Sequence, residues 1–232
     1  SQTGGSGDTF NVAVGHSALL SNTTGIYNTA VGGLALDAND TGSHNTAIGY
    51  NSLGAANGAS NYNSALGRDS LSGVTTGDYN IGIGYAAADG VTTSSQNIFV
   101  GSNSAAGDTV TGSHNVGMGQ NAMYSLTSGA YNTAVGPYNG AGHVLADITT
   151  GSHNTAIGAG ALHSNTTAQN NTAVGSGALH VNTTGTLNVA MGRDALRFNT
   201  TGGDNTAIGK DALYANTTAS NNTALGYNAL AA

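Results

Sequence analysis

Short hydrophobic segments recur along the chain at a nearly constant interval. Each begins with Asn and continues with a Thr-like residue, a small residue, an aliphatic residue and Gly, as in Asn28-Thr29-Ala30-Val31-Gly32. The motif begins at Asn11, Asn28, Asn45, Asn63, Asn80, Asn97, Asn115, Asn132, Asn154, Asn171, Asn188, Asn205 and Asn222. Neighbouring motifs lie 17 residues apart except for two intervals of 18 and one of 22. A repeat of this length is too short for helical repeats and predicts stacked β-coils.

Two further elements follow each motif at fixed positions. One is an Ala-Leu pair such as Ala161-Leu162, and the other is a Thr-rich turn such as the one at 199–202. Each coil is therefore expected to hold two short strands and two turns. The predicted fold is all-β: a parallel β-solenoid or β-roll of about thirteen 17-residue coils. Residues 1–10 are interpreted as a lead-in and 11–232 as one solenoid domain, with an insertion at about 137–147.

The columns formed by stacked coils predict an interior. The aliphatic fourth position, from Val14 to Leu225, and the later Leu column are expected to form the dry core. Strand alternation then turns the small third position outward, where its apolar character suggests that another chain packs there. The opposite parity, with the Thr and aliphatic columns outward, exchanges the core and the interface. The Asn column is expected to form a structural ladder of stacked amides. Its members include Asn28, Asn45, Asn132, Asn154, Asn171, Asn188, Asn205 and Asn222.

The composition of the chain argues against several classes of function. Only 6% of the residues are charged, the net charge is −7, and the four basic residues are scattered in sequence, which argues against nucleic-acid binding. The chain has no Cys and no apolar run near the roughly 20 residues that span a bilayer, so neither disulfides nor membrane insertion is expected.

Aromatic or His residues precede the motif Asn in eight of thirteen coils. Such rings can stack on one another and stabilise the solenoid, or they can stack on sugars of a receptor. The tyrosines of this row that are candidate ligand contacts are Tyr27, Tyr62, Tyr79 and Tyr131. The insertion adds Tyr138, His143 and Asp147 as candidate contacts, because loops on rigid scaffolds often carry binding specificity. A tolerated surface insertion is the alternative interpretation.

Catalytic, cofactor and metal sites are not expected. The sequence has no nucleophile elbow, no paired carboxylates and no phosphate-binding loop before a helix. His44, His114 and His153 occupy coils that are not adjacent, so one chain cannot bring them to one metal ion. Asp does not recur in every coil, as a repetitive calcium site would require.

The repeat resembles the head repeats of trimeric autotransporter adhesins and, more closely, phage and prophage tail-fibre proteins. The resemblance rests on segments such as Asn205-Thr206-Ala207-Ile208-Gly209, followed by the Ala-Leu pair at 212–213 and the Asn-Thr-Thr turn at 216–218. It extends over most of the chain, from Asn11 to Leu230. The resemblance implies a homotrimer of left-handed parallel β-rolls, exposed outside a cell or on a virion.

These observations favour a non-enzymatic structural fibre or adhesin segment. Its expected partners are further copies of itself and a cell-surface glycan, and its expected location is extracellular, on a cell surface or in a virion tail fibre. One alternative is a self-assembling subunit of an extracellular filament, stacked end to end. Another is an ice-binding solenoid that uses its Thr column, although this column is interrupted at Val12, Ile81, Ile98, Val116 and Val189.

Overall fold

The repeated motif folds as one short strand in every coil. The structure, a computed structural model, describes residues 10–138, 140 and 142–232. The chain is an all-β parallel β-solenoid of about twelve turns with about 17 residues per turn, and the described residues contain no helix. The strands are β1 Val12–Val14, β2 Thr29–Val31, β3 Thr46–Ile48, β4 Ser64–Leu66, β5 Ile81–Ile83, β6 Ile98–Val100, β7 Val116–Met118, β8 Thr133–Val135, β9 Thr155–Ile157, β10 Thr172–Val174, β11 Val189–Met191, β12 Thr206–Ile208 and β13 Thr223–Leu225.

The chain divides into two compact units. The first ends at His114 and contains β1 to β6, and the second runs from Asn115 to Ala232 and contains β7 to β13. Within each unit every strand pairs in parallel with the next one in the chain, with identical motif positions opposite each other. The predicted lead-in at 1–10 lies outside the described residues except for Phe10, and so do Asn139 and Ala141 of the predicted insertion.

The interior contains the small third position of the motif, not the aliphatic fourth position. Ala30, Ala47 and Ala156 are fully buried, whereas Val14, Ile48 and Leu66 expose 58%, 39% and 49% of their surface. The assignment of the aliphatic column to the core, and of the Ala column to an outer interface, is therefore wrong. Each strand covers motif positions two to four, and alternate residues of a strand share one face. The aliphatic residues at position four therefore point outward together with the threonines at position two.

The prediction for the Leu column is confirmed except in the last coil, where Leu230 exposes 61% of its surface. Leu19, Leu36, Leu162 and Leu179 are at most 1% exposed, and they pack beneath the Ala column. A 17-residue turn has a narrow cross-section, so one Leu and one Ala, flanked by buried Asn side chains, fill its interior. Burying a Leu side chain contributes roughly 2 kcal/mol, and the column repeats this contribution in successive coils.

The second half of each coil is not a strand in the described residues, contrary to the expectation of two strands per coil. Leu36 and Leu53 have φ of 51°, which is left-handed backbone and breaks an extended segment. Neighbouring coils are still joined there, because the Leu36 amide donates to the carbonyl of Ser52 at 3.0 Å. The Ala-Leu half is therefore a stack of hydrogen-bonded turns opposite the sheet.

Candidate functional site

The outward face of the sheet is an exposed apolar surface in each unit. We call the sheet face the set of outward side chains at motif positions two and four. Its fourth-position members are Val14, Val31, Ile48, Leu66, Ile83 and Val100 in the first unit, and Met118, Val135, Ile157, Val174, Met191, Ile208 and Leu225 in the second. Ile157, Met191 and Ile208 expose 41%, 43% and 37% of their surface. Contiguous apolar surface of this kind marks an interaction site in soluble proteins.

Threonines share the sheet face with the aliphatic column. They are Thr29, Thr46, Thr133, Thr155, Thr172, Thr206 and Thr223, each at least partly exposed. Val or Ile replaces Thr at the second position in five coils, including β5 and β6, where both outward residues are aliphatic. The face is therefore more apolar than hydroxylated.

The rings that precede the motif Asn form a stacked column in the first unit. Phe10, Tyr27, His44, Tyr62 and Tyr79 stack in order, with neighbouring centroids 4.7 to 5.1 Å apart and interplanar angles of 2 to 17°. Each of these rings therefore has at least one face covered by another ring, and the inner rings have both covered. Tyr27, Tyr62 and Tyr79 still expose about half of their surface. The column offers phenol hydroxyls more readily than ring faces to a ligand.

In the second unit, Tyr131 stacks on His153 at 5.0 Å. Within the insertion, Tyr138 stacks on His143 at 4.4 Å, and His143 contacts the carbonyl of Gln120 through Nδ1 at 3.0 Å. Asp147 contacts another residue: its backbone amide donates to the carbonyl of His163 at 3.1 Å. Of the three candidate contacts in the insertion, the structure brings together the two rings.

The Asn column forms a buried hydrogen-bonded ladder. In the second unit, Asn171 Oδ1 accepts the backbone amide of Asn188 at 3.0 Å and its Nδ2 at 3.2 Å. Asn188 Nδ2 also donates to the carbonyl of Gly202 at 2.9 Å, so both polar atoms of each amide are used. The first unit repeats the pattern, with the amide of Asn45 donating to Asn28 Oδ1 at 2.9 Å. These side-chain amides therefore stabilise the stacking of coils through their hydrogen bonds.

A second, shorter Asn ladder was not anticipated. Asn39 donates to Asn22 Oδ1 at 3.0 Å in the first unit, and Asn199 donates to Asn182 Oδ1 at 2.8 Å in the second. The signal for it in the sequence is the Asn that opens the Thr-containing turn, as in Asn39-Asp40-Thr41 and Asn182-Thr183-Thr184. This ladder stops at Asn39, whose Oδ1 is buried without a hydrogen bond and whose counterpart in the next coil is Ala56.

Two histidines form an unanticipated pair in the second unit. His163 and His180 stack at 5.1 Å, and their Nδ1 atoms face the carbonyls of His143 and Gly160 at 3.1 and 2.9 Å. A carbonyl only accepts, so Nδ1 of each ring is the donor in these contacts. Burial lowers the pKa of His180 below its ordinary value of 6.5; the charges of His163 and Arg197 add to this effect, while Gly160 and Asp194 oppose it.

Three of the four basic residues share one position of the motif. Arg68, Arg193 and Lys210 each follow a motif Gly and each pairs with the next residue, an Asp, at 3.0, 2.9 and 3.1 Å. Three tyrosines occupy the same position of other coils, namely Tyr50, Tyr85 and Tyr227. In the first unit the Arg68 guanidinium lies over the Tyr50 and Tyr85 rings at 5.8 and 5.9 Å.

Across the described residues, no cluster of three or more His, Cys, Asp or Glu side chains is arranged to hold a metal ion. No helix among them is long and apolar enough to cross a membrane. Comparison with family models, with curated proteins and with solved structures finds no match for this chain.

Proposed function

We propose that this chain is a structural segment of a trimeric fibre or adhesin, exposed outside a cell or on a virion, and that it presents receptor-binding side chains on a rigid β-solenoid. The observation that carries the proposal is the sheet face. Aliphatic side chains stand outward in successive coils of both units, at exposures between 37% and 58% in β3, β9, β12 and β1.

Burial of the sheet face against further copies of the same chain explains its composition. Every coil contributes the same short apolar strand, so copies aligned in parallel place like residues at equal heights. Three faces that meet around one axis bury both outward columns at once, which matches the trimer implied by the resemblance. The interface thus falls on positions two and four of the motif, and the Ala column belongs to the interior of each chain.

The test is the mass of the purified chain in solution, measured by light scattering after size-exclusion chromatography. A mass three times that of the 22.6 kDa chain supports the proposal. Ile157→Asp places a charge in the proposed interface and is expected to give monomers or unfolded chain, because an unpaired charge in an apolar interface costs several kcal/mol. Thr184→Asp adds the same charge at an exposed turn outside the sheet face and should leave the mass unchanged.

Other outcomes favour other functions. A monomeric wild-type chain contradicts the interface argument and with it the trimer. Open-ended filaments in negative-stain electron microscopy favour a self-assembling filament subunit instead.

Ice binding is a second candidate because the Thr and aliphatic columns lie together on one exposed parallel sheet. Regularly spaced hydroxyl and methyl groups on such a surface can order water. The aliphatic replacements in β5, β6, β7 and β11 interrupt the hydroxyl array and favour a protein interface. Absence of thermal hysteresis in a freezing-point measurement excludes this function.

A further inference from the structure

Three successive coils of the first unit place two tyrosines and one arginine side by side. Tyr50, Arg68 and Tyr85 each follow the Gly that closes β3, β4 and β5. Backbone hydrogen bonds fix their relative position: the amide of Asp69 donates to the carbonyl of Tyr50 at 2.9 Å, and that of Ala86 donates to the carbonyl of Arg68 at 3.0 Å. The guanidinium lies between the two rings, within 6 Å of both centroids.

The Arg68 guanidinium is hydrogen-bonded to the protein through its Nε group. Its Nε donates to Asp69 Oδ2 at 3.0 Å, and Asp69 Oδ1 accepts from Asn51 Nδ2 at 3.0 Å. Within the described part of the chain, neither Nη of Arg68 has a hydrogen-bond partner, and the side chain is 65% exposed. A guanidinium fixed through Nε presents its two Nη groups as a preformed donor pair, and this geometry suits a carboxylate.

The two tyrosines differ from those of the stacked ring column. Tyr50 and Tyr85 expose 51% and 52% of their surface, and the coils beyond them carry Gly33 and Ser102 at the same position, not rings. A Cβ on Gly33 would lie 3.5 Å from Tyr50 Cδ2, so the missing side chain leaves that face of the Tyr50 ring uncovered. An aromatic face open to solvent packs against the apolar face of a sugar ring.

We propose that Tyr50, Arg68 and Tyr85 form a binding site for a carboxylate-bearing sugar, such as a hexuronic acid, in a surface glycan. The Arg68 Nη groups bind the carboxylate, and the Tyr50 ring face above Gly33, on the side of the ring away from Arg68, packs against a neighbouring sugar of the same glycan. The net charge of −7 disfavours densely charged polyanions, whereas a glycan with isolated carboxylates is repelled much less. The inference rests on the proposed receptor-binding function and names its ligand class; copies in an assembly would add avidity to a weak single site.

The experiment titrates the full chain with methyl glucuronide and with methyl glucoside, its neutral counterpart, by NMR chemical-shift mapping. The expected result is saturable binding of the glucuronide, with shifts at the three site residues, and at least about tenfold weaker binding of the glucoside, since a charged hydrogen-bonded pair is lost. Arg68→Gln should weaken glucuronide binding to the level of the glucoside. Arg193→Gln is the matched control: Arg193 pairs with an Asp in the same way, but Ser176 and Lys210 occupy its column neighbours in place of tyrosines.

Three results would overturn the inference: no saturable glucuronide binding up to about 10 mM, equal binding of the two glycosides, or an equal loss in the Arg68 and Arg193 variants. The melting temperature and solution mass of both variants show whether folding and assembly are intact. A trimer that binds neutral glycans regardless of Arg68 leaves the proposed function standing without this site. A monomer that binds no glycan contradicts both.

Discussion

The glycine that closes most of the strands is constrained by its backbone and by its neighbour in the next coil. Gly175 has φ of +135°, and a Cβ there would collide with the Gly192 carbonyl group. Gly226 has a similar φ of +123°, but a Cβ on this residue would meet nothing within 4 Å. Comparing substitutions at Gly175 and Gly226 therefore separates the cost of the strained φ from the cost of the collision with the next coil.

Gly175→Ala is expected to destabilise the fold by more than about 3 kcal/mol, because backbone strain and a backbone collision add. Gly226→Ala should cost about 1 to 2 kcal/mol, since only the strained φ remains. Urea unfolding followed by circular dichroism measures both. Equal losses in the two variants would show that the contact with the next coil contributes nothing.

His180 predicts a pH dependence of stability. Its pKa is lowered in the folded chain, so the unfolded chain binds the proton more readily below pH 6.5. The free energy of unfolding should therefore be unaffected by this group above pH 6.5 and fall as the pH drops from 6.5 toward the lowered pKa. Melting temperatures measured between pH 8 and 5 check this; His180→Asn should flatten the decrease, and His16→Gln, at an exposed position, should not.

Single residues also show where the sequence was insufficient. A strand of three residues with Thr at one end and Val or Ile at the other places a polar and an apolar side chain on the same face. Hydrophobicity alone therefore could not decide whether that face or the Ala lies inside. The narrow cross-section of the coil places the Ala inside, because a Val or Ile in place of Ala30 or Ala47 would overfill the interior.

At the scale of the coil, large and small residues compensate one another. Phe99 is buried at a position where most other coils have Ala, and its partner in the preceding strand is Gly82. Ala88 and Ala105 occupy the Leu column in these same two coils. Across these two coils one Phe on the sheet side takes the place of the two Leu missing on the opposite side and offsets part of the lost volume.

This compensation predicts a rescue. Phe99→Ala should destabilise the fold by about 3 to 5 kcal/mol by leaving a cavity. Ala105→Leu alone should destabilise it by about 1 to 3 kcal/mol through overpacking. Together they restore the Ala and Leu arrangement of the other coils, so the double variant should be more stable than Phe99→Ala. Additive losses in a double-mutant cycle would contradict the volume argument.

The period of the repeat predicted the coil, its parallel register and its Leu column, because each depends on spacing alone. The Asn ladder likewise follows from one polar residue at a fixed interval. Composition could not reveal that basic residues and tyrosines share the position after the motif Gly. Arg68 and Arg193 are distant in sequence, and their common position becomes visible only when the coils are aligned on this Gly. The left-handed Leu residues were missed because Leu has no intrinsic preference for that backbone.

At the scale of the whole molecule, the proposed assembly links stability to concentration. If copies bury their sheet faces, association stabilises the folded chain by mass action, and the melting temperature should rise with chain concentration. Differential scanning calorimetry over a hundredfold range of concentration measures the slope. Thr184→Asp should retain the slope, and Ile157→Asp should abolish it; a wild-type chain without any slope would contradict the assembly.

The uniform pairing of coils also affects how the chain finds its native register. Between Asn154 and Asn222 every coil has 17 residues and nearly the same motif, so a strand can pair with the coil one beyond its proper partner. Such mispairing loops out one whole coil and leaves the remaining contacts native-like. The 22-residue coil from Asn132 has turns that fit no other coil, so it marks the correct alignment. A chain built only from the regular coils should therefore refold into a mixture of lengths, and the irregular coils act as reference points that keep the product uniform.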